Sequence, residues 1–270
     1  MKILRTKRDL KEAIYKINNL GFVPTMGGIH DGHGSLIKKS KIKCKKTLVS
    51  IYVNPKQFNN KKDFSKYPRN MKVDLKILKK LKVNYVFIPS TKEIYREKRI
   101  KKIILPSKAR ILCAKFRKGH FEGVLDIMDR FIKLINPKFI FMGEKDFQQL
   151  FLINRFISKK YKSKIYSCRT IRDKNFLALS SRNFLLSKLE RKKAGLVAKY
   201  LFKLKSCLKE NTQIHKYLLI KKIQLQKKFN IKIDYLEMRS KKNLSTLLKN
   251  KPKRLFVAYY INKVRLIDNF

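Results

Sequence analysis

The chain has 270 residues, and 69 Lys+Arg against 18 Asp+Glu give it a formal net charge of +51. Hydrophobic residues make up 44% of it, too large a share for a disordered polycation, and no apolar run reaches the roughly 18 to 20 residues of a membrane helix. Residues 1–17 hold no apolar signal core, and the four cysteines (Cys44, Cys113, Cys168, Cys207) form no CxxC, which argues against a zinc ribbon or disulfide framework and for a soluble, reduced, cytoplasmic protein.

In chain order, residues 6–19 read as an amphipathic helix with Leu10, Ile14 and Ile17 on one side. Residues 21–24 read as a short buried strand, and a Gly- and His-rich turn then leads into a helix over 34–43. A second strand spans 47–53 and ends in Asn54-Pro55. A helix over 71–81, a strand over 84–88, a long helix over 121–135, a strand over 138–142, a helix over 147–158 and a strand over 164–170 complete the series. Strands alternating with helices in units of roughly 30 residues predict a parallel, doubly wound sheet, whose ligands bind at the carboxyl ends of the strands. The pattern then changes. Two basic helices (188–209 and 212–229) precede strands over 232–238, 255–261 and 263–267, which suggests a smaller α+β domain. Residues 175–187 read as the linker region.

The charge is a weak clue. A basic protein can bind nucleic acid by neutralising phosphates, but that predicts a stripe, and here pairs such as Lys38-Lys39, Lys79-Lys80, Lys192-Lys193 and Lys227-Lys228 are spread along the chain. The rarer residues say more. Of nine glycines, seven (Gly27, Gly28, Gly32, Gly34, Gly119, Gly123, Gly143) fall in three short segments, together with three of the four histidines, His30, His33 and His120.

Three constellations could carry chemistry, and the first runs Met26, Gly27, Gly28, Ile29, His30, Asp31, Gly32, His33 between a strand and a helix. Backbone amides and a helix N-terminus suit a phosphate, and histidines three apart can share one side of the first helical turn. The alternatives are a tight turn with capping histidines, or a metal site that lacks an evident third ligand. The second, Gly143, Glu144, Lys145, Asp146, Phe147, Gln148, Gln149, follows a strand. It reads either as a lysine for phosphate beside an acid for ribose, or as a plain acidic helix start. The third, Ser180, Ser181, Arg182 with Arg172 upstream, is an anion grip or an ordinary polar loop. Asn54-Pro-Lys-Gln-Phe58 sits just past a strand end, where a neutral polar side chain can recognise a hydroxy acid, and Phe116-Arg-Lys-Gly-His-Phe-Glu-Gly123 supplies Arg117, a further possible phosphate contact.

Taken together and in order, these segments resemble the pantoate–β-alanine ligase family of the HxGH nucleotidyltransferase superfamily. The resemblance is carried by Val23-Pro-Thr-Met-Gly27 with His30-Asp-Gly-His33, by Ser50-Ile-Tyr-Val-Asn-Pro-Lys-Gln-Phe58 and by Tyr67-Pro-Arg69. It continues through Gly119-His-Phe-Glu-Gly-Val124, Gly143-Glu-Lys-Asp-Phe-Gln-Gln149, Leu177-Ala-Leu-Ser-Ser-Arg-Asn183, Ile233-Asp-Tyr-Leu-Glu237 and Arg265-Leu-Ile-Asp-Asn269. It covers essentially the whole chain.

The resemblance implies an α/β fold: a Rossmann-like, doubly wound parallel-sheet N-terminal domain that binds ATP and pantoate (residues 1–175), with a smaller α+β C-terminal lid domain (176–270). It also implies a homodimer. The implied reaction joins (R)-pantoate to β-alanine through a pantoyl adenylate, with AMP and diphosphate as products. By the family's pattern, residues Met26 to His33 cradle ATP, with His33 as proton donor and His30 and Lys145 as further catalytic groups. Gly143, Glu144, Lys145, Asp146, Ile171, Leu179, Ser180, Ser181 and Arg182 line the nucleotide. Gln57 and Gln149 hold pantoate, Gln57 also lies near β-alanine, and Asp74 is the expected acid near Mg2+. The chain departs from the pattern at Gly34 (usually Leu), at Lys118 (Pro), and at Phe176 and Asn262 (both Gly). Of these, Phe176 would cost about 1 kcal/mol if its φ is positive. Neither a specific nucleic-acid partner nor a membrane is expected.

Overall fold

A computed structural model describes residues 1–96, 103–157, 160–208, 213–247 and 252–270. The chain separates into two compact units. The first is Met1–Glu144 with Gln149–Arg169, and the second is Lys145–Gln148 with Thr170–Phe270. The expected boundary after residue 175 therefore falls inside the second unit.

The first unit contains β1 (Lys2–Leu4), α1 (Lys7–Ile14), β2 (Leu20–Thr25), α2 (Asp31–Lys43), β3 (Lys46–Ile51), α3 (Lys61–Ser65), α4 (Met71–Lys80), β4 (Tyr85–Phe87), α5 (Thr91–Tyr95), α6 (Cys113–Phe116), α7 (His120–Ile135), β5 (Phe139–Gly143), most of α8 (Phe147–Phe156) and β6 (Lys164–Cys168). The strands form one parallel sheet in the order β1-β4-β3-β2-β5-β6. From β2 the chain winds outward through β3 and β4 on one side, then returns to add β5 and β6 on the other. The direction reverses between β2 and β5, which makes their carboxyl ends the switch point where such sheets bind ligands.

Both faces of the sheet are covered, so its strands read as continuous apolar runs. On one face Val23, Val49, Val86 and Phe141 pack with Ile37 of α2 and Leu78 of α4. On the other, Phe131 of α7 meets Phe22, Phe87 and Tyr52 edge-on, with ring centroids 5.7, 6.1 and 6.2 Å apart. A buried ring of this kind contributes about 3 kcal/mol through burial alone. The helix α1 is shorter than its periodicity predicts. Thr6 caps it with a capping box to Asp9, but only Leu10 is buried, and Tyr15 just past the end is solvent-exposed. The strand β1, three residues long, adds to the elements expected from sequence.

The second unit carries α9 (Lys188–Cys207), α10 (Ile214–Phe229) and an antiparallel sheet of β7 (Lys232–Ser240), β8 (Lys253–Ile261) and β9 (Val264–Asn269). Its core joins Val197 and Leu201 of α9, Leu218 and Leu225 of α10, and Leu236, Val257 and Leu266 of the sheet. Ser187 and Glu190 form the capping box that starts α9. Residues 175–187 are not a linker. Leu177, Ala178 and Leu186 are buried, and Ser181–Leu185 forms a 3-10 turn. Asn262 sits in the β8–β9 turn at φ 49°, a left-handed conformation that asparagine tolerates better than most residues. The expected helix ends at residues 158, 209 and 212 lie outside the described residues. No helix among the described residues is long and apolar enough to cross a membrane.

Candidate active site

The turn after β2 is built from its backbone outward. Gly27 and Gly28 have φ of 82° and 61°, and a Cβ on Gly27 would stand 2.9 Å from Asp74 Oδ2. Asp74, buried on the first turn of α4, accepts the Gly28 N–H on Oδ2 (2.9 Å) and the Ile29 N–H on Oδ1 (2.8 Å). From β2 itself, Thr25 Oγ1 donates to the Ser50 carbonyl and accepts the Gly27 N–H. The loop that glycine makes possible is thus fixed from α4 and from β3.

α2 begins at Asp31, three residues earlier than its apolar pattern predicts, because His30 is its N-cap. Its Nδ1 accepts the Gly32 N–H at 3.1 Å, and His33 Nδ1 accepts the His30 N–H at 3.4 Å. The rings lie 4.1 Å apart between centroids. Backbone N–H groups only donate, so both Nδ1 atoms are acceptors. Each neutral ring is thereby assigned its proton on Nε2. The cap thus supplies two imidazole N–H donors beside the amides of a helix N-terminus, a set suited to an anion.

Gln57 is buried in a 3-10 turn, Pro55–Gln57, and its Nε2 donates to Met26 Sδ. Its carbonyl accepts His120 Nδ1 at 2.7 Å, while Arg117 Nη1 stands 3.0 Å from His120 Nε2. A carbonyl only accepts and a guanidinium only donates, so His120 donates through Nδ1 and accepts through Nε2. Arg117 also pairs with Asp63 at 3.8 Å. The structure therefore gives Arg117, read from sequence as a phosphate contact, a place in the buttress beneath Gln57. Asn54 Nδ2 donates to the Gly123 carbonyl at 3.0 Å, and a Cβ on Gly123 would lie 2.4 Å from Lys56 O and 2.8 Å from Gln57 N. Sequence pattern places Asn54 in a strand-end segment suited to a hydroxy acid, but singles out no role for His120 or Gly123. Their signal is the Gly-His-Phe-Glu-Gly segment itself, which serves to support Gln57.

At the carboxyl end of β5, Glu144 accepts from Ser167 Oγ of β6 at 2.7 Å. Beside it, Cys168 is held as a neutral thiol by burial, which pushes its pKa up to about 11. Of the paired glutamines on α8, Gln148 is buried and Gln149 is half-buried. The first unit thus holds residues 26–33, Gln57, Asp74, Gly143, Glu144 and Gln149.

The second unit holds Lys145, Asp146, Ile171 and residues 179–182. Lys145 Nζ pairs with Asp146 at 3.5 Å. Leu179 N–H donates to the Ile171 carbonyl at 2.9 Å, closing a hairpin, and Ser180 Oγ then caps the 3-10 turn by accepting the Arg182 N–H. Phe176 stands at the hairpin tip with φ 74°, the left-handed conformation in which glycine is the usual residue. Its ring packs edge-on against Phe202 and lies 4.7 Å from the Arg172 guanidinium, contacts that offset the strain. Among the described residues, no group of three or more His, Cys, Asp or Glu is arranged to hold a metal. Both Asp74 oxygens are already engaged by backbone amides.

A family profile described as pantoate-beta-alanine ligase matches residues 2–270. The chain belongs to the pantoate–β-alanine ligase family. Its fold is that of the family's solved members, and it is a ligase that forms a C–N bond. A pantothenate synthetase of Clostridium botulinum (strain Langeland) is 38% identical over 279 residues, spanning 100% of this chain and 99% of that protein. One from Leptospira biflexa is 40% identical, across 97% of this chain and 95% of its own length. The Francisella tularensis pantoate-beta-alanine ligase, solved with β,γ ATP and β-alanine, superposes with a TM-score of 0.83 at 35% identity, over 100% of this chain and 97% of that one. The Thermus thermophilus enzyme superposes with a TM-score of 0.87 at 28% identity, over 100% and 99%.

Proposed function

We propose that this ligase condenses (R)-pantoate with β-alanine in two steps. Pantoate carboxylate attacks the α-phosphate of ATP to give pantoyl adenylate and diphosphate. The β-alanine amine then attacks the acyl carbon, and AMP leaves with the electron pair of the acyl–oxygen bond. The observation that carries this reading is the double-histidine cap on α2 at the sheet's switch point, in a chain that matches the ligase family from end to end.

Two anions must meet, so the work is positioning and charge compensation. Residues 26–33 cradle the phosphates through the positive end of α2 and the Nε2 donors of His30 and His33, with His33 donating as negative charge builds on the leaving diphosphate. Lys145 adds a cation, and Gly143, Glu144, Asp146, Ile171, Leu179, Ser180, Ser181 and Arg182 line the nucleotide. Gln57 and Gln149 hold pantoate through neutral amides, which avoids setting a further carboxylate against the substrate, and Gln57 borders β-alanine. Mg2+ travels with ATP. It needs only one or two protein carboxylates, or none, when phosphates and water complete its shell. Mg2+ would add charge compensation on the phosphates, with Asp74, whose oxygens brace the turn, as the nearby acid. A catalytic N-terminal domain with a C-terminal lid domain, a homodimer and a cytoplasmic setting belong to the same reading; four cysteines kept as thiols suit a reducing compartment.

The test is direct. The protein with ATP, Mg2+ and pantoate should release diphosphate without β-alanine, and AMP should follow once β-alanine is added. Absence of diphosphate from folded protein would overturn the reading.

A further inference from the structure

Asn269, the last residue of β9, reaches across the sequence to a single backbone atom. Its Nδ2 donates to the carbonyl of Lys145 at 2.8 Å, over 124 positions of chain. Its Oδ1 accepts Arg254 Nη1 at 2.8 Å. A guanidinium only donates and a carbonyl only accepts, so the orientation of this buried amide is unambiguous. Arg254 in turn lies over the Phe147 ring at 4.5 Å, and Phe147 packs 5.8 Å from Phe256 of β8. Together these contacts fasten the four residues Lys145–Gln148 into the second unit, although the chain on either side of them belongs to the first.

Asn269 is itself held rigidly. It pairs with Phe256 at the end of β9, and its N–H donates to Asp268 Oδ1 at 2.7 Å. Asp268 is buried and takes the Arg172 guanidinium in a two-bond fork of 2.7 and 2.9 Å. Arg172 donates on to the Phe176 carbonyl at 3.1 Å and lies between the Phe176 and Phe270 rings, 4.7 Å from each. Adjacent residues of one strand therefore hold the Lys145 backbone and the hairpin that leads into residues 179–182.

We propose that Asn269 is a positioning residue that sets where Lys145 stands for the adenylation step. The proposal rests on the ligase reading given above. A lysine's flexible stem delivers its charge within a sphere centred on its own Cα, and a displacement of about 1 Å in a site of this kind costs on the order of 100-fold in rate.

The experiment compares Asn269→Ala, Lys145→Ala and the double variant, reading diphosphate release from ATP and pantoate and, separately, the KM for β-alanine. In Asn269→Ala, kcat for diphosphate release is expected to fall about 10- to 100-fold, with the β-alanine KM within about twofold of wild type. Added to Lys145→Ala, the same change should cost nothing further, which a merely structural contribution would not mimic. Should Asn269→Ala fail to fold, Asn269→Asp keeps the acceptor for Arg254 and replaces the donor to Lys145 with a carboxylate oxygen, and is expected to show the same coupling. Wild-type diphosphate release in a folded Asn269 variant, or an undiminished loss in the Lys145→Ala background, overturns the proposal. A wild-type enzyme that releases no diphosphate would sink the ligase reading instead.

Discussion

Asp74 Oδ2 accepts the N–H of Gly28 at 2.9 Å, and so joins two residues 46 positions apart in the buried base of the turn after β2. The carboxylate has an amide on each oxygen, and a carboxamide would set an N–H against an N–H on one side. Asp74→Asn should therefore lower stability by about 2 kcal/mol, in the range for hydrogen bonds to a charged group, and slow diphosphate release by roughly 10-fold or more. Urea titration and a diphosphate assay over increasing Mg2+ check this. The loss should persist at high Mg2+; full recovery there would make Asp74 a metal ligand instead.

Gly123 is where α7 approaches the backbone of Lys56 and Gln57. A methyl added there would stand 2.4 Å from the Lys56 carbonyl oxygen, with no flexible side chain to yield. Gly123→Ala must push the Gln57 segment away from α7. Overpacking of this sort costs about 1–3 kcal/mol. If Gln57 holds pantoate, KM for pantoate should rise about 10-fold or more, while KM for ATP changes little. Steady-state kinetics with each substrate varied separately would show the contrast.

The parallel sheet is legible in the sequence because its buried strands are short apolar runs between turn signals, as in Leu20–Thr25 and Phe139–Gly143. The His30–His33 turn stands out because glycine and histidine are scarce against lysine. The start of α2 lies three residues before its apolar pattern begins, since an imidazole cap carries no routine sequence signature. Asp74 is recognisable as an acid near the site, but its partners are backbone amides on another element, which only the fold supplies. The same holds for His120, whose target is the carbonyl of Gln57, and for Asn269, whose target is that of Lys145. Side-chain bonds to distant backbone leave no pairing of residue types to read. Residues 175–187 read as a linker because they lie where the strand–helix alternation gives way to two long basic helices, yet Leu177 and Leu186 anchor them in the core.

Cys207 is exposed while Cys44, Cys113 and Cys168 are buried, and none of the four is in a disulfide. Iodoacetamide at pH 8 should label one site per native chain, and four after unfolding; mass spectrometry counts them. Burial raises the Cys168 thiol from 9.0 to about 11 and pushes Cys44 in the same direction. Between about pH 9 and 11 the unfolded chain thus releases the Cys168 proton while the folded chain keeps it. Stability should fall as pH rises through that window. Lysines begin to titrate there too, so the comparison is with Cys168→Ala, in which the fall should be shallower. An identical pH dependence in the variant would remove Cys168 as a contributor.

Gly34 tests the opposite of Gly123. It lies buried in the first turn of α2, donates its N–H to the His30 carbonyl at 3.0 Å and has no positive φ. An added Cβ would meet only Leu81 Cδ1, at an ordinary contact distance of 3.8 Å. Nothing in the packing calls for glycine here, and the family pattern has leucine at this position. Glycine in a helix loses more backbone entropy on folding than alanine, by about 0.5–1 kcal/mol. Gly34→Ala should therefore be stabilising by that amount, and the new methyl adds a buried contact. Scaled to a chain of this size, the gain corresponds to a rise in Tm of roughly 1–4 °C. The cap itself should be untouched, since His30 and His33 make their bonds through residues 30 and 32, and diphosphate release should stay within about twofold of wild type by the absence of any displaced group. Calorimetry and the diphosphate assay together decide it: a lower Tm would mean that the turn needs glycine for a reason other than space or φ.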